Sequence, residues 1–463
     1  MSPGTGRLMR VPFGLSSYQR GPGDLPELPV INCYAEEAPT EEGRVVLQSR
    51  PGLSDRSANM GQGPVKQLFT QDGVLSGALF GVSNGTLYEA TTSLGVIAGS
   101  GFVSMAGNEI GLMVTAGSSL YYWNGTVLAT VSFPDSASVS HVFTGGSRFW
   151  AIRADTGKLY WTDSLEADVE ALDFATAESL PDKLLQGLWI DGQPILFGAE
   201  SVEFWQQTGS STLPITPLKH LVWEVGIKAT GCAVNIMDTF ACVTSENNVV
   251  LQSEKNIISN AGLQARIEAS TNVSLFTFLL DGVEFLALRL DAETQVFNPR
   301  TGMWSEFESY GETNWVPQCF ASGVFGSSLD GKTLEWGTAH ADIVTAGNPS
   351  GVLERRFRGG FAINGGGINI ANVQLRCNVG QTPYLTGDYT EPTVEMRLSR
   401  DAGQTWGNWR GVSLGSQGSY RTKVQWRACG MASQPAFLAE FRVTDPIDVR
   451  FSDVLVNEAW GGR

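Results

Sequence analysis

Through the middle of this chain, short apolar runs alternate with turns containing Gly, Asn or Asp. The apolar spacing of a helix is nowhere sustained beyond about two turns. One unit recurs seven times: a polar or Gly-bearing turn followed at once by a short strand that carries a large apolar residue. Its copies are Asn84-Gly85-Thr86-Leu87-Tyr88, Gly117-Ser118-Ser119-Leu120-Tyr121, Asp155-Thr156-Gly157-Lys158-Leu159-Tyr160, Glu200-Ser201-Val202-Glu203-Phe204-Trp205, Asn247-Asn248-Val249-Val250-Leu251, Glu293-Thr294-Gln295-Val296-Phe297 and Asp330-Gly331-Lys332-Thr333-Leu334-Glu335-Trp336. The final residues of successive units lie 33 to 46 positions apart. A four-stranded blade consumes about 40–50 residues and buries its faces only against its neighbours, so the period predicts a β-propeller.

The fold class that follows is all-β. A propeller of six or seven blades is expected over 61–350, preceded by an extended arm over 1–60 and followed by a β-sandwich-like unit over 351–463. The arm is rich in Pro and Gly, and its apolar piece Pro29-Val30-Ile31-Asn32-Cys33-Tyr34 can dock as a strand. With too little contiguous apolar sequence to fold alone, the arm is expected to lie across the propeller or a neighbouring subunit. Beyond Gly365-Gly366-Gly367 the strands lengthen and alternate with period two, as in Val394-Glu395-Met396-Arg397-Leu398-Ser399. The alternative for these strands is the last blade. The best helix candidate is 164–172, with Ser164 as N-cap and acidic residues after it.

Composition narrows the functions. The chain has 31 Lys and Arg against 47 Asp and Glu, a net charge of −16, which opposes tight sequence-independent binding to a phosphate backbone. An acidic wall instead lets DNA slide past without sticking. The six cysteines are scattered without metal-type spacing and read as buried thiols made in a reducing cytoplasm. No secretory start is expected, because Arg7 and Arg10 interrupt the first fifteen residues, and the most apolar stretch, 275–290, contains Asp281, Glu284 and Arg289 and does not insert in a membrane.

Candidate chemistry is sparse. Ser399-Arg400-Asp401-Ala402-Gly403-Gln404-Thr405-Trp406 resembles the Asp-box of sialidase-like propellers, in which Ser399, Asp401 and Gly403 would shape a hairpin turn and Trp406 would pack beneath it. The box marks a structural turn and carries no catalytic information. Gly81-Val82-Ser83-Asn84-Gly85 and Gly411-Val412-Ser413-Leu414-Gly415 fit a hydrolase elbow in letters, but neither is followed by the helix an elbow requires. His141, His220 and His340 stand apart from one another. No catalytic, cofactor-binding or metal-binding residue is therefore assigned, no cofactor is expected, and the chain is read as non-enzymatic.

Three regions, taken in order, resemble the packaged-DNA stabilisation proteins of short-tailed phages, also called tail nozzle or tail hub proteins. The first is Asn32-Cys33-Tyr34 with Arg50-Pro51-Gly52-Leu53. The second runs from Leu172-Asp173-Phe174 through Pro181-Asp182, Ile195-Leu196-Phe197-Gly198, Ser201-Val202-Glu203-Phe204-Trp205 and Gly209 to Gly231-Cys232. The third comprises the Asp-box, Gly415, Tyr420-Arg421 and Trp426. The resemblance implies a virion protein of the tail, assembled in the host cytoplasm as a homo-oligomeric ring, a hexamer, below the head-to-tail adaptor. It implies contacts with tail spikes or fibres and a plug protein, retention of packaged DNA, and transient passage of DNA through the ejection channel. The rival reading is a glycan-binding or sialidase-like propeller acting in receptor recognition.

Overall fold

The computed structural model describes residues 8–11, 14, 16–18, 27–38, 45–177, 182–252, 255–342, 351–363 and 366–458. Among them, seven four-stranded antiparallel units follow one another along the chain. Blade one runs from Val65–Phe69 to Thr92–Val96, blade two from Ser104–Asn108 to Leu128–Val131, blade three from Val139–Gly145 to Val169–Thr176 and blade four from Leu184–Ile190 to Ile215–Trp223. Blade five runs from Ala233–Ile236 to Asn256–Ile257, and blade six from Ser274–Leu280 to Met303–Phe307. Every one of the seven repeat units lies on the third strand of its blade, from Thr86–Glu89 in blade one to Lys332–Trp336 in blade seven. The repeat therefore resolves the blade count to seven.

The seventh blade is assembled from both ends of the propeller segment. Pro317–Ala321, Val324–Ser327 and Lys332–Trp336 supply three strands, and Leu53–Asn59 supplies the outer one, with Trp336 opposite Leu53 and Leu334 opposite Asp55. This closure locks the ring: without it the outer edge of Lys332–Trp336 would be an unpaired ladder. The apolar side chains confirm the closed order. Phe80 and Val114 share a cluster between blades one and two, Phe149 and Met113 between two and three, Trp161 and Leu196 between three and four. Phe197, Phe240 and Leu286 join blades four to six, Phe278 and Phe325 join six to seven, and Cys319 and Val65 join seven to one.

The sandwich has two sheets. One runs Cys33–Glu37, Val45–Ser49, Arg450–Glu458, Ile368–Cys377, Val424–Ala432, with Leu8–Val11 also pairing to Arg450–Glu458. The other runs Arg355–Ala362, Ala436–Val443, Thr393–Ser399, Arg410–Ser413, and it is continuous with blade six. The bridge is Val30–Ile31, which pairs parallel to Met303–Phe307 and antiparallel to Arg355–Ala362, giving a nine-stranded sheet that crosses from propeller to sandwich. Phe357, Trp426, Phe441 and Phe451 centre the sandwich core, into which Val11, Val30, Cys33 and Leu47 of the N-terminal segment insert.

Two expectations change. The segment over 1–60 lies across the propeller at Leu53–Asn59, but as the strand that closes the ring, and its earlier strands belong to the sandwich; the blade therefore draws on both sides of position 60. The C-terminal strands form the expected sandwich, which excludes the alternative of a last blade. The helix expected over 164–172 is absent: Val169 pairs with Thr162 and the chain continues as the outer strand of blade three, because an open blade edge offers backbone partners that a short acidic helix does not. The α-helix among the described residues is Ala261–Ala269, capped by Asn260, whose side chain accepts from the Leu263 amide at 2.9 Å.

Deleting residues 1–60 is expected to abolish the cooperative thermal transition followed by circular dichroism, since blade seven and the sandwich lose strands together. A truncated chain that melts like the whole one would contradict closure by Leu53–Asn59. The single change Leu53→Ala, at a fully buried position, is expected to cost about 2–5 kcal/mol in urea unfolding.

Candidate functional site

The seam between propeller and sandwich is a buried polar network on the residues of the first family-like region. Asn32 sits where the chain leaves one sheet for the other, with φ 53, a backbone state that Asn tolerates better than most residues. Its amide donates to the Glu306 carbonyl at 2.8 Å and its carbonyl accepts from the Arg50 amide at 3.1 Å. Its Oδ1 accepts from Arg50 Nε at 2.8 Å and from the Glu308 amide at 3.0 Å, while Nδ2 donates to the Glu354 carbonyl at 3.0 Å. Arg50, with no exposed surface, donates Nη1 and Nη2 to the two carboxylate oxygens of the equally buried Asp342 at 3.1 and 2.8 Å. Nη2 also donates to the Glu308 carbonyl at 2.6 Å, and the guanidinium lies 5.5 Å from the Phe307 ring centroid. Asp342 Oδ1 accepts in addition from the Leu53 amide at 2.9 Å, so the ion pair fixes the start of the closing strand. Gly52 is required beside it: a Cβ there would meet the Ala341 carbonyl oxygen at 2.1 Å.

Further along the seam, Arg355 is fully buried and donates to the carbonyls of Leu353 at 3.0 Å, Ile447 at 3.2 Å and Asp445. Burial lowers its pKa to about 10. Burial also raises Glu306, opposite Ile31 in the bridging register, from its ordinary 4.5 to about 7, with Glu293 and Glu308 adding repulsion.

The second family-like region orders blade four. Asp182 accepts from the amides of Ala199 at 3.1 Å, Glu200 at 2.7 Å and Ser201 at 2.9 Å, clasping the turn into Val202–Gln207. A Cβ at Gly198 would strike Asp182 Oδ2 at 2.0 Å. Glu203 is buried and accepts from Trp205 Nε1 at 3.0 Å.

The Asp-box residues come together in the sandwich, between Thr393–Ser399 and Arg410–Ser413, and not in a blade. Ser399 Oγ donates to Asp401 Oδ1 at 2.7 Å and accepts from the Gly403 amide at 2.8 Å. Asp401 accepts from the Thr405 amide at 2.8 Å and hydroxyl at 2.5 Å, and these bonds lower its pKa to about 2. Gly403 has φ 94, and its carbonyl accepts from Trp406 Nε1 at 3.0 Å. The turn serves to lay two tryptophans over the outer face of the sheet. Trp406 lies between Arg358 and Arg397, each 4.9 Å from its ring centroid, and Trp409 between Arg397 at 4.6 Å and Arg442 at 4.1 Å. Beneath them, buried Glu440 accepts from Arg358 Nε at 2.7 Å and from Arg397 Nε. The ladder was legible only in part: Trp406 and Trp409 are three apart in the sequence, but the three arginines come from three strands that the sequence does not pair.

The other candidates scatter. Ser83 is buried at the end of a strand whose Asn84-Gly85 turn leads into the next strand, and Ser413 donates to Glu391 at 3.0 Å. His141 is buried against Phe102 and its pKa falls to about 3 through desolvation. It faces a cavity of about 800 Å³ at the hub, lined by the innermost strands, where Lys66 and Glu284 carry the charge. His220 is exposed on blade four, and His340 lies in the seam, its Nδ1 3.1 Å from the Arg50 carbonyl. The cysteines are free thiols, with Cys33, Cys232, Cys242 and Cys319 buried and raised to about 12 by desolvation. Among the described residues no group of three or more His, Cys, Asp or Glu is placed to hold a metal, and no helix is long and apolar enough to cross a membrane.

Charge divides between the two domains. Residues 51–350 contain 13 Lys and Arg against 31 Asp and Glu, whereas 351–463 contain 13 against 10. The acidity of the chain is therefore the propeller's, and the sandwich is slightly basic.

A seven-bladed ring tied through one continuous sheet to an arginine-rich sandwich defines a two-domain β scaffold. Family models described as bacteriophage P22 Gp10, beta-propeller, and bacteriophage P22 Gp10, beta-sandwich, match residues 9–309 and 354–458, and the chain belongs to this family. The tail hub protein gp10 of Salmonella phage P22 is 25% identical over 263 residues, which cover 52% of this chain and 54% of that protein; the match thus spans about half the relative's length. Similar solved structures include BBS1N in complex with ARL6DN, at TM-score 0.41 and 10% identity over 62% of this chain and 98% of that one. YCF48 from Cyanidioschyzon merolae gives TM-score 0.41 and 12% identity, again over 62% and 98%.

Removing one partner of the seam ion pair leaves a buried charge, so Arg50→Met or Asp342→Leu alone is expected to cost about 3–5 kcal/mol in denaturant unfolding, and the double change to recover much of the loss. Glu306 gives a pH signature. Its folded pKa lies above the unfolded one, so the folded chain holds the extra proton and stability falls as pH rises from 4.5 to about 7. Relative to wild type, Glu306→Gln is expected to remove a loss of about 3 kcal/mol across that window; parallel stability profiles for the two chains would contradict it.

Proposed function

We propose that this chain is a structural subunit of a phage tail, a nozzle or hub that forms a ring below the head-to-tail adaptor. The observation that carries this reading is that both family models, propeller and sandwich, match in order along the chain. The relative's description as a tail hub protein supports a place in the tail. In this role a homo-oligomeric ring, a hexamer, surrounds the DNA path, helps retain packaged DNA, and holds spikes or fibres and a plug. The construction suits a mechanical part. Seven blades share their apolar faces around a closed ring, and the sandwich joins them through backbone ladders and a buried ion pair, so the described strands form one connected framework. The acidity of the propeller suits a passage that DNA crosses without adhering.

Electron microscopy of assembled tails is expected to show several copies of this chain around the axis; a single copy, or a location away from the axis, would sink the reading. Purified protein is expected to leave duplex DNA unshifted in gel-mobility assays at physiological salt, whereas tight, salt-sensitive binding would exclude a sliding conduit.

A further inference from the structure

We propose that the arginine-lined end of the sandwich docks onto the acidic outer strand of blade three in a second copy of this chain, joining copies head to tail. The inference rests on the ring reading above and specifies the surfaces that would build the ring. The donor surface is a cleft of about 610 Å³ between the Asp-box hairpin and the strand Val424–Ala432, walled by Arg397, Arg400 and Arg410 with Thr405 and Asn408. Arg397 is committed to Glu440 and the tryptophans. Arg400 and Arg410 are exposed and donate to backbone carbonyls, of Cys429 at 3.1 Å and Arg427 at 2.7 Å. Among the described residues neither has a carboxylate partner within ion-pair distance. Val424–Ala432 is the terminal strand of its sheet, and Arg427 and Met431 on it are exposed.

The acceptor surface has the opposite character. Val169–Thr176 is the terminal, outermost strand of blade three. Glu166, Asp168 and Glu170 are exposed on or beside it, and among the described residues none makes an ion pair. Leu172 stands among them at 87% exposure, the highest of any large apolar side chain described. Each surface thus offers an open sheet edge, a block of uncompensated charge and exposed apolar surface, from Leu165 and Leu172 on one and Met431 on the other, with signs that match.

Topology decides that the partner is another copy. The sandwich leaves the ring at the outer edge of blade six, and blade three lies three blades away in a ring of seven, roughly 150° around the disc. Within one chain the sandwich pairs with blade six and not with blade three. A contact between different patches is heterologous, and it generates a ring when the rotation closes. The charges steer the encounter and fix its register, while Leu172 and Met431 supply apolar burial.

The test is a charge swap on the full chain. One variant carries Arg400→Glu, Arg410→Glu and Arg427→Glu; the other carries Glu166→Arg, Asp168→Arg and Glu170→Arg. All six positions are exposed, and circular dichroism melts confirm that each variant is folded. By sedimentation, each alone is expected to self-associate at least about tenfold more weakly than wild type, and an equimolar mixture of the two is expected to recover association, because each then meets a complementary partner. For a wild-type chain that joins only within the particle, the readout is a cross-link between copies carrying Glu170→Cys and Arg427→Cys in assembled tails, and its presence supports the contact. Oligomers indifferent to both reversals, or several copies in the tail without that cross-link, overturn the docking while leaving the ring intact. A single copy per tail overturns the ring and the docking together.

Discussion

The guanidinium of Arg50 is the point on which the two halves of this chain converge. It neutralises Asp342, holds the side chain of Asn32 at the sheet switch, and reaches the Glu308 carbonyl at the end of blade six. Taking both charges out of water is costly, and the cost is offset because both terminal nitrogens of Arg50 also donate to backbone carbonyls, of Pro51 and Glu308, while Asp342 Oδ1 also accepts from the Leu53 amide. Replacing a buried pair by apolar groups of the same volume is often neutral or stabilising, but the pair is directional. It specifies that the closing strand begins at Leu53 and that the sandwich abuts blade six.

The rest of the architecture needs that specification. A blade is a small sheet with two apolar faces, unable to bury either alone, so each depends on the next around the ring. Closing the ring by pairing Lys332–Trp336 with Leu53–Asn59 brings together segments almost 280 residues apart in the sequence, a pairing rewarded only after most blades are in place. The buried polar seam supplies a local reason for that distant strand to arrive in one register.

What could be read in the sequence follows from how local the information was. The seven turn-and-strand units were legible because each third strand follows directly on a hairpin turn, and its turn residues and apolar residue recur in every blade. The Asp-box was legible because Ser399, Asp401, Gly403 and Trp406 act within eight residues of one another. The roles of Val30–Ile31 and Leu53–Asn59 were not, because a two-residue strand or an outer strand carries no period of its own and is defined by its partners. The segment over 164–172 misled for the same reason: its charges and N-cap are helix signals, and the neighbouring edge at Lys158–Thr162 outweighs them. The arginines at 358, 397 and 442 were visible as residues, but their alignment under Trp406 and Trp409 depends on three strands meeting in register.

The nine-stranded sheet has a mechanical meaning beyond its topology. Two domains joined by a linker swing independently, and tension on one reaches the other only when the linker is taut. Here a pull on the sandwich is carried straight into blade six by backbone hydrogen bonds on both sides of Val30–Ile31. These two residues act as a weld: whatever tilts the sandwich also tilts the disc, and the first thing to yield under shear would be a ladder of one pair on one side and two on the other.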